Sequence, residues 1–322
     1  MTSNNETCFN IYVGAEIEQM LPTKVLEYSI LKYSTIPVRV LPLFEAIQAA
    51  GIKIPIVNDP KKGGKTPFSF QRFAIPALNH YQGRALYVDS DMAVFRDIKE
   101  LRDLPFDGAD LLSVKEIQGS RRRSQFSVML LNCEKLKWKV EDLVQKVLDD
   151  KMTYESLVYQ MKAADDVRMT IAPEWNCLEW YESDKSALTH FTDMLEQPWL
   201  NTVNPLTELW CQLLIEAVED KFVSKKFVDD QINKGWVRPS LSYQIEQKIA
   251  DPKKIPKSIR VIDAAKFTAP PLFPTGLKSL GQYGEPNPSL YGRAVRYSFA
   301  SARYVCRESM FAKAAKKAIR LI

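Results

Sequence analysis

The stretch Gly83-Arg84-Ala85-Leu86-Tyr87-Val88-Asp89-Ser90-Asp91-Met92-Ala93-Val94-Phe95 decides how the rest of the chain reads. Residues 85–88 are apolar throughout and bounded by Gly83, the pattern of a strand buried on both faces. The run stops abruptly at two aspartates spaced i, i+2, and a second short apolar run follows. In an open α/β sheet, ligands bind outside the carboxyl ends of the strands. Two carboxylates at such an end can face one hard divalent cation, and that cation can hold the phosphates of a nucleotide. The tripeptide alone says little, because a chain of this length contains about one Asp-x-Asp by chance. Its place behind a buried strand is what carries weight.

Outward from that strand, strand-like and helix-like segments alternate. Phe9–Gly14 reads as a first buried strand, and residues 21–33 as a helix whose first turn tolerates Pro22. Residues 38–43 and 52–57 are candidate strands, the former interrupted by Pro42, which puts the acidic pair at the tip of the fourth or fifth strand. Residues 68–78 fit a helix leading into it. Residues 109–114 and 126–131 have strand length, and Val140–Leu148 is amphipathic. Residues 58–65 form a loop. Gly64-Lys65-Thr66 is like the end of a phosphate loop, but Asp59 stands where the first glycine belongs and Pro67 follows, so that reading is rejected. Alternation through residue 150 argues an α/β sheet, and helical patterns dominate from Leu206. The expected organisation is a catalytic unit over 1–200 and a mostly helical extension over 201–322.

Composition narrows the classes. The chain has 322 residues, 46% hydrophobic and 26% charged, enough for a full core and ordinary for a globular protein. A net charge of +5 is too mild to imply nucleic acid, and none is expected as a partner. No apolar run approaches the roughly 18 residues of a membrane span. Residues 1–6 lack the pattern of a signal peptide. Cys8, Cys133, Cys177, Cys211 and Cys306 lack the close pairs of a zinc site and read as reduced thiols of a cytoplasmic protein. With only His80 and His190, catalysis built on several imidazoles is excluded.

The chain ends on Arg293, Arg296, Arg303, Arg307, Lys313, Lys316, Lys317 and Arg320, opposed by Glu308 and interleaved with aromatic and aliphatic residues. A helix over 289–322 would be amphipathic and suited to an anionic membrane surface, such as the inner membrane face. The plainer reading is a solvated helix packed by its aromatic side.

Two further segments join the acidic pair as site candidates. His190 lies in Thr189-His190-Phe191-Thr192-Asp193-Met194-Leu195-Glu196-Gln197-Pro198-Trp199, after a short apolar piece. An imidazole with two carboxylates is a plausible Mn2+ site. Arg72, in Thr66-Pro67-Phe68-Ser69-Phe70-Gln71-Arg72-Phe73, offers a planar fork suited to a diphosphate.

Together these segments resemble the retaining glycosyltransferases of family 8, the group containing glycogenin and the lipopolysaccharide galactosyltransferases, over residues 9 to 200. The Arg72 segment and Leu86-Tyr87-Val88-Asp89-Ser90-Asp91 look like that family's arginine helix and Asp-x-Asp strand. Phe126-Ser127-Val128-Met129-Leu130-Leu131-Asn132 is similar to its acceptor-side strand, and His190 through Trp199 to its closing histidine segment. The resemblance implies a GT-A-type α/β fold, a nucleotide-diphospho-sugar transferase sheet with helices on both faces. It implies Mn2+ (or Mg2+) held by Asp89, Asp91 and His190. Val13, Gly14 and Ala15 would contact uridine, Arg72 the diphosphate or donor sugar, with Ser90, Asp193 and Gln197 also on the donor side.

The pattern is not followed everywhere. Gln125 stands where the family has asparagine, Ser127 replaces a glycine, and Gln197 takes the place of a phosphate-binding lysine. Tyr154-Glu155-Ser156-Leu157 is the nearest counterpart of the Gln-Asp-x-Asp helix. Gln125, Glu155 and Ser156 are therefore the candidate catalytic residues. The implied reaction moves a hexose from a UDP-sugar to a glycan, lipid-linked or protein acceptor, by same-face attack of the acceptor hydroxyl, with Glu155 as the rival nucleophile. The alternatives are a degenerate nucleotide- or carbohydrate-binding protein and a sugar-nucleotide pyrophosphorylase, whose Gly-rich basic loop residues 11–20 lack. Trp175, Asn176 and Trp180 are candidates for an acceptor groove, with core packing as the competing use of Trp175.

Overall fold

The structure is a computed structural model that describes residues 8–57, 59, 62, 69–115, 126–194 and 196–270. Its strands in chain order are β1 (Phe9–Gly14), β2 (Val38–Pro42), β3 (Arg84–Asp89), β4 (Met92–Val94), β5 (Leu111–Val114), β6 (Val128–Asn132), β7 (Val167–Ile171), β8 (Cys177–Leu178) and β9 (Leu188–His190). Its helices are α1 (Met20–Tyr33), α2 (Leu43–Ala49), α3 (Ile75–Leu78), α4 (Lys99–Arg102), α5 (Val140–Leu148), α6 (Tyr154–Val158), α7 (Thr207–Glu219), α8 (Lys225–Asn233), α9 (Ser240–Gln247) and α10 (Lys257–Lys266). The chain divides into two compact units, the first running through Asp193 and the second beginning at Met194.

The first unit is a mixed α/β structure around a six-stranded sheet of order β2-β1-β3-β6-β5-β7. Neighbours pair in parallel except β6, which runs antiparallel to both β3 and β5. Successive side chains along a strand point to opposite faces. Ile11, Val13, Leu86, Val88, Leu112 and Leu130 therefore lie on one face with Leu26 and Ile30 of α1 and Leu101 of α4. Tyr12, Ala85, Tyr87, Leu111, Met129 and Leu131 lie on the other, with side chains of α2, α5 and α6 and of the 3-10 turn Gln71–Ala74. Burial on both faces explains why residues 11–13 of β1, 85–88 of β3 and 128–131 of β6 are apolar throughout. Each fully buried aliphatic side chain contributes about 1.5–3 kcal/mol. Asp89 shares the face of Ala85 and Tyr87, and so looks toward Gln71–Ala74. A smaller sheet of order β4-β9-β8 continues from the end of β3.

Two expectations fail locally. Residues 52–57 form no strand; α2 follows β2 at once, and 52–57 carries no regular structure. Pro55 cannot donate to a ladder, which removes a rung from so short a segment. The acidic strand is thus the third. Residues 68–78 do not form one helix either: the 3-10 turn Gln71–Ala74 precedes a short α3 with Pro76 near its start. Proline lacks the amide an earlier α-helical turn would need.

The second unit is helical among its described residues, with α7 to α10. Trp199 and Trp210 meet with ring centroids 5.4 Å apart. Arg238 is fully buried and donates to the Pro198 carbonyl, Ser240 Oγ and Gln244 Oε1. Among the described residues no helix is long and apolar enough to cross a membrane. The basic segment 289–322 and Cys306 lie outside the described residues.

Leu130 of β6 is fully buried in the core cluster that also holds Leu86, Val88 and Leu112. Leu130→Ala should cost about 2–5 kcal/mol, read as a lower urea midpoint with unchanged slope.

Candidate metal centre

Asp89 ends β3, and the backbone turns through Ser90 to Asp91 before β4 begins. The Ser90 amide donates to the Gly14 carbonyl (3.1 Å), tying this turn to the end of β1. β4 then pairs antiparallel with β9, setting Met92 opposite His190. One rung further, the Phe191 amide donates to the Asp91 carbonyl (2.8 Å). That pairing carries an imidazole from a distant segment to the acidic turn. One ligand atom from each of Asp89, Asp91 and His190 lies within 4.8 Å of the others.

Each member is held from behind. His190 Nε2 is 3.1 Å from Asp91 Oδ1, and His190 Nδ1 is 2.9 Å from Asn176 Oδ1. With Nδ1–H donating to the Asn176 carbonyl oxygen, a charged ring also donates Nε2–H to Asp91, and a neutral ring offers the Nε2 lone pair. The buried Tyr87 hydroxyl donates to Asp89 Oδ1. Arg72 stacks its guanidinium over the Tyr87 ring, 4.6 Å from the centroid, and brings Nη2 to 3.9 Å from the same carboxylate. It also donates to the Phe126 carbonyl (3.3 Å).

The electrostatics follow from burial and crowding. Burial pushes the Asp89 carboxyl above its ordinary value; Arg72 opposes the rise and Asp91 adds to it. Burial alone would lower His190, but Asp91, by charge and hydrogen bond, then Asp89 and Glu179, raise it above 6.5. Burial lifts the Tyr87 phenol well above 10 and keeps it a donor. Two carboxylates crowded beside one imidazole form a donor set that a divalent cation relieves, and the mixture of oxygen and nitrogen suits Mn2+ better than Mg2+.

No family model matches the chain. Over 114 residues it is 35% identical to Protein CDI of Arabidopsis thaliana, covering 35% of this chain and 43% of that protein. Among solved structures, the backbone is similar to apo glycosyltransferase GlyE of Streptococcus pneumoniae TIGR4, with a TM-score of 0.46 and 17% identity over 64% of this chain and 60% of that one. It is also similar to the galactosyltransferase LgtC in complex with donor and acceptor sugar analogs, with a TM-score of 0.43 and 13% identity over 64% of this chain and 95% of that one. What this chain can do is carried by its own side chains.

The other candidate residues are distributed unevenly. Val13, Gly14 and Ala15 lie at the end of β1, where Gly14 pairs with Asp89. Val13 and Ala15 are fully buried, and the Gly14 carbonyl accepts from the Ser90 amide. Ser90 Oγ is buried between the aspartates with no hydrogen-bond partner among the described residues. Asp193 closes the first unit; Gln197 belongs to the second, where it is buried and its carbonyl accepts from the Leu200 and Asn201 amides. Glu155 is exposed on α6, while Ser156 exchanges hydrogen bonds with Thr153 in a capping box. Gln125 lies outside the described residues. Trp175 is buried in the core, and Trp180 is exposed.

Sequence reading gave no role to Tyr87 or Glu179, and set Asn176 in an acceptor groove. In the structure Asn176 Oδ1 stands 2.9 Å from His190 Nδ1 and holds the imidazole. Nothing in its own neighbourhood signals this; only the fold brings it to His190.

The raised pKa of His190 has a sign that can be measured. In chelator, the His190–Asp91 pair contributes stability fully present below 6.5, lost as pH rises through the folded-state pKa above that value. Urea unfolding from pH 6 upward should show this decline in the native protein and a flatter profile in His190→Gln.

Proposed function

We propose that this chain is a metal-dependent glycosyltransferase of GT-A type that uses a UDP-sugar donor. The observation that carries this reading is the convergence of Asp89, Asp91 and His190 within 4.8 Å at the carboxyl end of β3. The donor set fits Mn2+, with Asn176 orienting the imidazole, and the buried Ser90 hydroxyl has no hydrogen-bond partner among the described residues. Asp89, Asp91 and His190 would hold a divalent cation, which would supply positive charge to a departing diphosphate.

The protein's own groups set the stage for transfer. Tyr87 and Arg72 fix the Asp89 carboxylate, and Arg72 adds a cation on the side where diphosphate charge collects. Backbone at Val13–Ala15 borders the acidic turn and is the proposed contact for uridine, with Asp193 and Gln197 as further donor-side residues. The proposed chemistry breaks the anomeric C–O bond to UDP while an acceptor hydroxyl attacks from the same face and passes its proton to the departing diphosphate oxygen, retaining configuration. Gln125 is the proposed polar contact on that face. Glu155, exposed on a short helix whose cap engages Ser156, is less suited to be a nucleophile. The acceptor is a glycan, lipid-linked or protein hydroxyl, and the proposed location is the cytoplasm, with 289–322 as a contact to anionic membrane. The proposed catalytic domain is 1–200.

Asp91 is the better position to test. Removing Asp89 would break its pair with Arg72, whose side chain is 5% exposed, and breaking a buried pair costs about 3–5 kcal/mol of stability. Asp91→Asn should cut UDP release from a UDP-sugar in Mn2+ by about a hundredfold or more without loss of fold. Full activity in chelator would remove the mechanism. Stabilisation by UDP with Mn2+ but no product from any UDP-sugar would indicate a binding protein instead.

Asn176→Ala should weaken Mn2+ binding by about 10- to 100-fold, the usual effect of losing the group that orients a ligating histidine. Titration calorimetry giving equal affinity would show that the ring needs no such support.

A further inference from the structure

Glu179 follows β8 directly and has φ +60°, a left-handed conformation that costs a non-glycine residue about 1–2 kcal/mol. Such strain persists only where surrounding contacts over-determine it. Its amide donates to the His190 carbonyl (3.0 Å). Its Oε1 accepts from the Thr192 hydroxyl (3.2 Å) and the Asp193 amide (2.6 Å). One residue thus grips the chain at His190, Thr192 and Asp193, while the Asp91 carbonyl holds the Phe191 amide between them.

β9 is three residues long and ends at His190. Strand ends this short fray unless tethered. Asn176 fixes the ring, but nothing in that contact fixes the backbone that carries it. Glu179 does. It is not in the group of residues whose ligand atoms lie within 4.8 Å of one another, and its Oε1 is already engaged by two donors.

We propose that Glu179 is a positioning residue, a bracket that locks residues 190–193 so that the His190 imidazole is presented to Asp89 and Asp91, acting as a hydrogen-bond acceptor and not as a metal ligand. Its consequence for metal binding rests on the reading of the preceding subsection; its geometry does not. Glutamine keeps a carbonyl oxygen able to accept both bonds but carries no charge. Charge and bracket are therefore separable.

The test compares the full chain with Glu179→Gln, Glu179→Ala and Thr192→Val. It measures Mn2+ affinity by electron paramagnetic resonance of the free ion and amide exchange over 190–193. Glu179→Gln should stay within about twofold of the native affinity, while Glu179→Ala should lose on the order of tenfold and exchange faster over 190–193. Thr192→Val should fall between them. Glutamine as damaging as alanine would mean that charge or direct ligation matters, and would overturn the proposal. So would alanine with native affinity and native exchange. Should Glu179→Ala not fold, a weakened Thr192→Val beside an intact Glu179→Gln supports the bracket, and any other pattern of the two overturns it. A native protein that takes up no Mn2+ removes the metal reading; the exchange comparison then decides the bracket alone.

Discussion

A three-residue antiparallel pairing holds the site together. With Met92 opposite His190, the imidazole and the Asp91 carboxylate come within 3.1 Å although nearly a hundred residues separate them in sequence. Side chains alternate along a strand, so a slip of one residue would offer Thr189 in place of His190. Register here is chemistry. The Phe191 amide on the Asp91 carbonyl extends the pairing past the end of β9, and the Ser90 amide on the Gly14 carbonyl anchors the turn to the large sheet.

Behind that pairing stands a buried electrostatic stack. Arg72, Tyr87 and Asp89 lie one against the next, each almost fully withdrawn from water. A lone carboxylate at that depth would protonate. Arg72 opposes the effect of burial, and the Tyr87 hydroxyl satisfies one oxygen. The period-two pattern of β3 decides this, since it puts Tyr87 and Asp89 on the face covered by Gln71–Ala74.

The sequence made the acidic strand, Arg72 and His190 legible for different reasons. β3 betrayed itself by an apolar run ending in two charges. Arg72 and His190 needed the order and spacing of three segments, since neither residue means much alone. The short helices near Arg72 and the lost strand at 52–57 were harder to read, because single prolines at positions 76 and 55 outweighed the apolar pattern around them. Asn176 and Glu179 were not legible at all. Their partners are set by β8 and β9, and strands of two or three residues leave almost no periodicity to read.

One feature of β1 bears on how such a site could change over time. Where its carboxyl end borders the acidic turn, Val13 and Ala15 are wholly buried, and the link to the turn is made by peptide groups, the Gly14 carbonyl accepting from the Ser90 amide. Main-chain amides and carbonyls are the same whatever residue bears them. Substitution at those positions would damage the core before it altered what the edge recognises. Drift in ligand preference must therefore enter through neighbouring loops, while this rim stays chemically constant.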